Sequence, residues 1–293
     1  MRLSATRPRA ALKACAAVCL VTALSGCASV GGFVAGPVHR AAAALAPAGT
    51  CAPSEPGQRV DDKVEDAILK QSNQPACLLD LHAGNPGRST VVTIHGIHGS
   101  PVSLEEVAQT AADRGHSVKT LLYDDQHSRL TKVSRDLAES IAAWRRDHPG
   151  DKLTLVAHSM GARIAVGALH ELARTHRLSQ GEYQLYLVCP TLDGYPSANM
   201  AEMAFDWMER FPDIAPSRDM GDRSAFQRLL ESTHPPANVK TTILLGAHDD
   251  VVDARASGFQ TIATNLRAEV ATFDGGHSNI GLPVSRILDF DPR

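Results

Sequence analysis

The sequence predicts an α/β protein: a mostly parallel, doubly wound sheet with helices on both faces. Two observations carry this. Past about Val60 the chain alternates short β-branched runs with amphipathic helical stretches, the order that a parallel sheet covered by helices requires. A composition of 43% hydrophobic and 21% charged residues over 293 residues supplies a packed core and excludes disordered, collagen-like and coiled-coil chains. Length alone permits one domain or two, and the unbroken alternation favours one.

The expected strands are Ser89–Ile94, Val118–Tyr123, Leu153–Ala157, Tyr183–Val188, Thr241–Leu245 and Ala268–Phe273. After the first, Ser103-Leu104-Glu105-Glu106 reads as a capping box opening a helix that runs to about Arg114. Leu130, Val133, Leu137, Ile141 and Trp144 then share one helical face before Pro149-Gly150 ends that helix. Helix formers follow the third strand from Ala162 to Ala173, and a further helix is expected to begin near Asp253. No internal repeat is evident.

Ahead of this domain, placed at 58–293, lies a leader at 1–26. It has a basic start through Lys13, an apolar run from Ala14 to Leu24, and then Leu24-Ser25-Gly26-Cys27. That is a signal-peptide pattern. The small residues before Cys27 resemble the lipobox of bacterial lipoproteins, which implies diacylation of Cys27 and attachment to a membrane through that lipid. Ala28 in the next position resembles lipoproteins sent to the outer membrane, facing the periplasm or cell surface. Residues 27–57 then read as a flexible Ala-, Gly- and Pro-rich tether with an extended reach of roughly 100 Å.

Arg2, Arg7, Arg9 and Lys13 leave with the leader, so removing four cations from a net charge of −3 leaves the mature chain at −7. An acidic body with no basic stripe repels phosphate backbones, so nucleic acid is not an expected partner. Of the six Cys, the leader takes Cys15 and Cys19 and the lipid takes Cys27. Cys51 and Cys77 are candidates for closing a loop in an oxidising compartment, while Cys189, at the end of an apolar run, is expected to be buried and inert.

The chemistry-bearing motif follows the third expected strand, where Ala157-His158-Ser159-Met160-Gly161 leads into a helix. This resembles the nucleophile elbow G-x-S-x-G of the α/β-hydrolase superfamily, with Ala157 in place of the first Gly. The resemblance spans roughly Ser89 to His277 and implies the order Ser, acid, His. Gly246-Ala247-His248-Asp249-Asp250-Val251-Val252 resembles the family's acid loop G-x-x-D-x-V-V, with Asp249 at the acid position and Asp250 and Asp253 as alternatives. Asp274-Gly275-Gly276-His277-Ser278 resembles the loop that delivers the base. His95-Gly96-Ile97-His98-Gly99 resembles the H-G-x-x-G oxyanion turn, which places the amides of Ile97 and Met160 as oxyanion donors.

The resemblance thus implies a serine hydrolase cleaving a carboxylic ester or thioester through an acyl-enzyme, with a small-molecule or lipid acyl ester as substrate and no cofactor. The alternatives are an acyltransferase on the same fold and a non-catalytic envelope lipoprotein that uses the fold as a binding module. His95 and His98 raise a metal reading, but neither H-x-H-x-D-H nor H-E-x-x-H spacing is present, so no metal is expected. The stretch at about 190–239 is too long for a simple connection and is expected to form a helical, lid-like insertion. Within it Met200, Met203, Ala204, Trp207, Met208 and Phe211 recur at helical spacing, either as an adaptable lid face or as an ordinary covering helix. Tyr123-Asp124-Asp125-Gln126-His127 lies at the carboxyl edge of the expected sheet, lining a ligand site or forming a solvated loop.

Overall fold

In the computed structural model the described residues are 51, 59–72, 76–178, 180–194 and 217–290, all within one unit spanning 42–293. The leader, Cys27, most of the tether and the Met-rich stretch of the insertion lie outside them.

Seven strands form one sheet: β1 (Ala76–His82), β2 (Thr90–Ile94), β3 (Ser117–Tyr123), β4 (Leu153–His158), β5 (Tyr183–Val188), β6 (Val239–Gly246) and β7 (Glu269–Phe273), in the spatial order β1-β3-β2-β4-β5-β6-β7. Every pairing is parallel except β1 with β3. All six expected strands are present within two residues at either end. The additional strand, β1, lies antiparallel at the edge.

Among the described residues eight α-helices accompany the strands: α1 (Asp62–Ser72), α2 (Glu105–Asp113), α3 (Leu130–Asp147), α4 (Met160–Arg174), α5 (Ser217–Met220), α6 (Ala225–Glu231), α7 (Ser257–Asn265) and α8 (Gly281–Ile287). Alternate strand residues feed opposite cores, as the pleat dictates. Val92, Leu155, Leu187 and Ile243 pack against α3, α4, α6 and α7, while Val91, Val156, Val188 and Leu244 pack against α2 and the region of α8. A smaller cluster joins Ile68 and Leu69 of α1 to Cys77, Leu79 and Leu122, and Cys51 and Cys77 form a disulfide. This two-layer cover on a mostly parallel sheet is the α/β-hydrolase fold.

Two local expectations are corrected. The cap before α2 sits three residues early, with Ser103 Oγ accepting the Ser100 N–H at 3.3 Å. A 3-10 turn over Pro101–Leu104 then precedes the α-helix, which starts at Glu105. Asp253 lies four residues before α7 and accepts the Arg255 N–H at 2.9 Å, an Asx-type turn rather than the helix start. In the insertion, Phe226 and Leu230 of α6 are buried against the α4 side of the core, so this described part is an ordinary covering helix.

The chain leaves β2 towards β3 on one side, and β4 returns to the other side of β2. Where connections diverge in this way, a crevice opens beyond the carboxyl ends of the strands. The turn after β2 and the turn after β4 both lie there.

Candidate active site

The turn after β4 is forced into shape by its neighbours. Ser159 takes φ 52 and ψ −119, a left-handed conformation that an L-residue holds only when the surroundings fix it. Its N–H donates to the Val188 carbonyl at 3.0 Å, and α4 begins at the very next residue. A Cβ on Gly161 would lie 2.3 Å from the His95 carbonyl oxygen, and one on Gly96 would lie 2.9 Å from Ser159 Cβ. Glycine at both positions is what lets the β2 turn and the elbow approach. Ala157, in the position where the elbow motif has its first Gly, is fully buried in the core.

The structure brings together three of the singled-out side chains. His277 Nε2 is 2.9 Å from Ser159 Oγ, and His277 Nδ1 is 3.1 and 3.2 Å from the two Asp249 carboxylate oxygens. A carboxylate accepts only, so Nδ1 carries the proton and Nε2 is free to accept from the serine. Asp249 Oδ1 also accepts the N–H groups of Val251 at 2.8 Å and Val252 at 3.0 Å. Burial pushes this carboxyl up, but those amides, the Cys189 thiol and His277 outweigh it and hold it below its ordinary value. Of the two alternatives, Asp250 is exposed and Asp253 is turned into its own loop.

The oxyanion expectation names two amides. Met160 is the first residue of α4, so its N–H is one of the four that a helix leaves without an intrahelical acceptor. Ile97 sits in the turn that Gly96 presses against Ser159. His98, next to it, has φ 52, which curls the turn.

Three neighbours have partners that the sequence does not show. His158 is buried, and its Nε2–H donates to the His277 carbonyl at 2.8 Å. Burial, partly offset by that bond, lowers its pKa to about 4, so it is a neutral ring that ties the base loop to the elbow. Cys189, expected to be inert, is indeed buried and free, yet its thiol lies against Asp249 and the Gly276 carbonyl, and burial pushes its pKa up to about 12. Asp125 is no solvated loop residue: one of its carboxylate oxygens is buried with no hydrogen-bond partner among the described residues, and burial raises its pKa to about 6. Its neighbour Asp124 behaves as a turn residue, accepting the His127 N–H at 2.9 Å. No single-segment motif could reveal these contacts, because each joins separate stretches of chain.

Cys189, Asp249 and His277 also offer sulfur, oxygen and nitrogen within 4.8 Å of one another, the geometry of a candidate cation site. The Nδ1 proton is directed at the carboxylate, the thiol has the Gly276 carbonyl at 4.0 Å as an acceptor beside Asp249, and a thiol raised to about 12 must lose its proton before it can ligate. The cluster is satisfied as a hydrogen-bond network.

Residues 91–213 match the family described as "Alpha/beta hydrolase of unknown function (DUF900)". No curated protein matches the chain. Among solved structures, the monoacylglycerol lipase of Paleococcus ferrophilus is 15% identical with a TM-score of 0.49, covering 72% of this chain and 96% of its own. The thioesterase domain from the curacin biosynthetic pathway is 19% identical with a TM-score of 0.46, covering 72% and 92%. The Bacillus licheniformis lipase BlEst2 is 14% identical with a TM-score of 0.48, covering 73% and 94%.

Proposed function

We propose that this chain is a serine hydrolase that cleaves a carboxylic ester or thioester. The reading rests on one observation above the others: Ser159, His277 and Asp249 lie in hydrogen-bonded sequence, at 2.9 and 3.1 Å, on a strained elbow. Ser159 Oγ attacks the acyl carbonyl carbon while His277 Nε2 takes its proton. Asp249 holds the Nδ1–H tautomer and stabilises the imidazolium that forms. The negative charge on the carbonyl oxygen falls to the amides of Ile97 and Met160. His277 then protonates the leaving alcohol or thiol, and water, activated by the same ring, releases the acid and restores Ser159. An alcohol in place of water makes the same acyl-enzyme an acyltransferase intermediate.

The decisive measurement is hydrolysis of a short-chain p-nitrophenyl ester by the protein with Ser159→Ala beside it. Loss of at least about a thousandfold is expected, since triad members act as a unit. A variant retaining a tenth of the activity would overturn the reading.

We propose further that the leader directs this activity to a membrane, with Cys27 lipidated. The Cys51–Cys77 disulfide supports export, because such bonds persist in oxidising compartments. Cys27→Ser should release the protein from the membrane fraction, and an unmodified Cys27 in the mature wild-type protein, found by mass spectrometry, would refute the anchor.

A further inference from the structure

Beneath the 95–99 turn lies a group of buried titratable side chains that acyl transfer does not use. His95 is 1% exposed, Tyr123 2% and Glu65, delivered by α1, 4%. His95 Nε2 is 3.1 Å from Glu65 Oε1, and His95 Nδ1 is 2.8 Å from the Gly96 carbonyl oxygen. The Tyr123 N–H donates to the same Glu65 oxygen at 2.9 Å. The Tyr123 ring stacks on the imidazole with centroids 4.5 Å apart, and its O–H donates to the His95 carbonyl at 2.8 Å.

Both imidazole nitrogens therefore face oxygen acceptors. A neutral ring has one N–H and would set a bare lone pair against the other oxygen, whereas a doubly protonated ring satisfies both. Burial alone disfavours that charge, but Glu65, with help from the Gly96 carbonyl and Asp125, overcomes it and raises the pKa of His95.

The consequence runs through one peptide group. The Gly96 carbonyl and the Ile97 N–H belong to the same planar, trans amide and point in opposite directions, so fixing one fixes the other. That carbonyl accepts from His95 and also from the Gly99 N–H at 3.2 Å. Gly96, free of a Cβ, offers little intrinsic resistance to a flip of this peptide.

We propose that Glu65 and His95 are a positioning pair, in which a buried imidazolium held by Glu65 grips the Gly96 carbonyl and so locks the Ile97 N–H towards the oxyanion. A hydrogen bond from a cation to that carbonyl also polarises the amide and strengthens its N–H as a donor. The pair rests on the reading of Ile97 as an oxyanion donor given under the proposed function.

Two readouts test it on the full chain. In ¹⁵N-labelled wild-type protein, the His95 ring, assigned by its absence in His95→Phe, should carry protons on both nitrogens at pH 7, and Glu65→Gln should return it to a neutral ring. Glu65→Gln and His95→Phe should each lower kcat on p-nitrophenyl butyrate by about tenfold or more with KM within about twofold, since an oxyanion donor acts on the transition state. A neutral His95 in the wild-type protein overturns the pair even if Glu65→Gln does not fold, and so does an unchanged kcat in a folded Glu65→Gln. A wild-type protein that neither hydrolyses the ester nor takes a fluorophosphonate on Ser159 instead overturns the hydrolase reading, with the state of the ring still decided by its spectrum.

Discussion

Replacing each of three neighbouring acids by Asn separates their roles, because Asn keeps the volume and removes the charge that stabilises an imidazolium. Asp249→Asn should lower kcat by about a thousandfold or more. Asp250→Asn and Asp253→Asn should stay within about threefold, since one side chain is exposed and the other bonds its own turn; a greater loss in either at unchanged stability would place the acid elsewhere. A second residue-scale prediction concerns pH. Burial raises Asp125 from 3.8 to about 6, so the folded state holds this proton more tightly than the unfolded one, and its ionisation removes stability as pH rises from about 4 through 6. The size is at most about 3 kcal/mol. Asp193, raised by burial to about 6, acts in the same direction. His158 acts oppositely: its folded pKa of about 4 lies below the ordinary 6.5, so stability is gained as pH rises through that window. Asp125→Asn should leave the His158 trend less opposed and stabilise the protein at pH 7 by about 1–2 kcal/mol, measured by denaturant unfolding at pH 4.5 and 7. An Asn variant no more stable than wild type at pH 7 would contradict the burial of this charge. At this scale the sequence makes Ser159, Asp249 and His277 legible, because each sits in a local motif. It leaves Glu65 and Cys189 illegible as site neighbours, because their partners come from distant segments, and leaves Asp125 undecided between a site and a solvated loop.

The elbow depends on how closely two elements approach, and Gly161 measures that approach. The nearest atoms to a Cβ there are main-chain oxygens, His95 at 2.3 Å and Ile94 at 2.7 Å, which cannot swing aside as a flexible side chain can. Gly161→Ala should push the elbow off the end of β2, lowering stability by about 1–3 kcal/mol and suppressing ester hydrolysis well beyond that loss. Gly150→Ala, where a Cβ meets nothing within 4 Å, is the control. A Gly161→Ala protein with wild-type activity and melting temperature would show that the approach is looser than described. The central strands β2, β4 and β5 were legible because both their faces are largely buried, so each reads as a mostly apolar run. β1 was not, since it lies antiparallel at the edge and its run ends in Asp80 and His82. α1 was hidden for a more specific reason: the core-facing position three before Ile68 is Glu65, a carboxylate where the helical period calls for an apolar residue. In α8 the Pro at position 283 masks a helix whose first turn tolerates it.

Across the whole described unit, the longest covalent tie between distant segments is the disulfide. Cys51 pairs with Cys77 of β1 across 26 positions, and the Cys51 N–H donates to the Leu78 carbonyl at 2.9 Å. The enclosed segment contains α1, whose Ile68 and Leu69 pack on Cys77, Leu79 and Leu122 and whose Glu65 reaches the Tyr123 amide. Closing a loop of this length removes freedom mainly from the unfolded chain and is worth about 3 kcal/mol. Converting both cysteines to Ala together, which leaves no unpaired thiol behind, should therefore lower the melting temperature by about 6–12 °C. Adding reductant should lower the wild-type protein by a similar amount and leave the double variant unmoved, which separates the cross-link from general effects of the reagent. Activity supplies an independent check on the cross-link. If the bond serves to keep α1 seated, the double variant should lose kcat near its melting transition before the bulk of the helical signal is lost, because Glu65 is carried on the segment that is freed. A double variant that melts with the wild type, or whose activity and helicity fall together, would mean that the small cluster around Ile68 and Leu69 holds α1 without the cross-link.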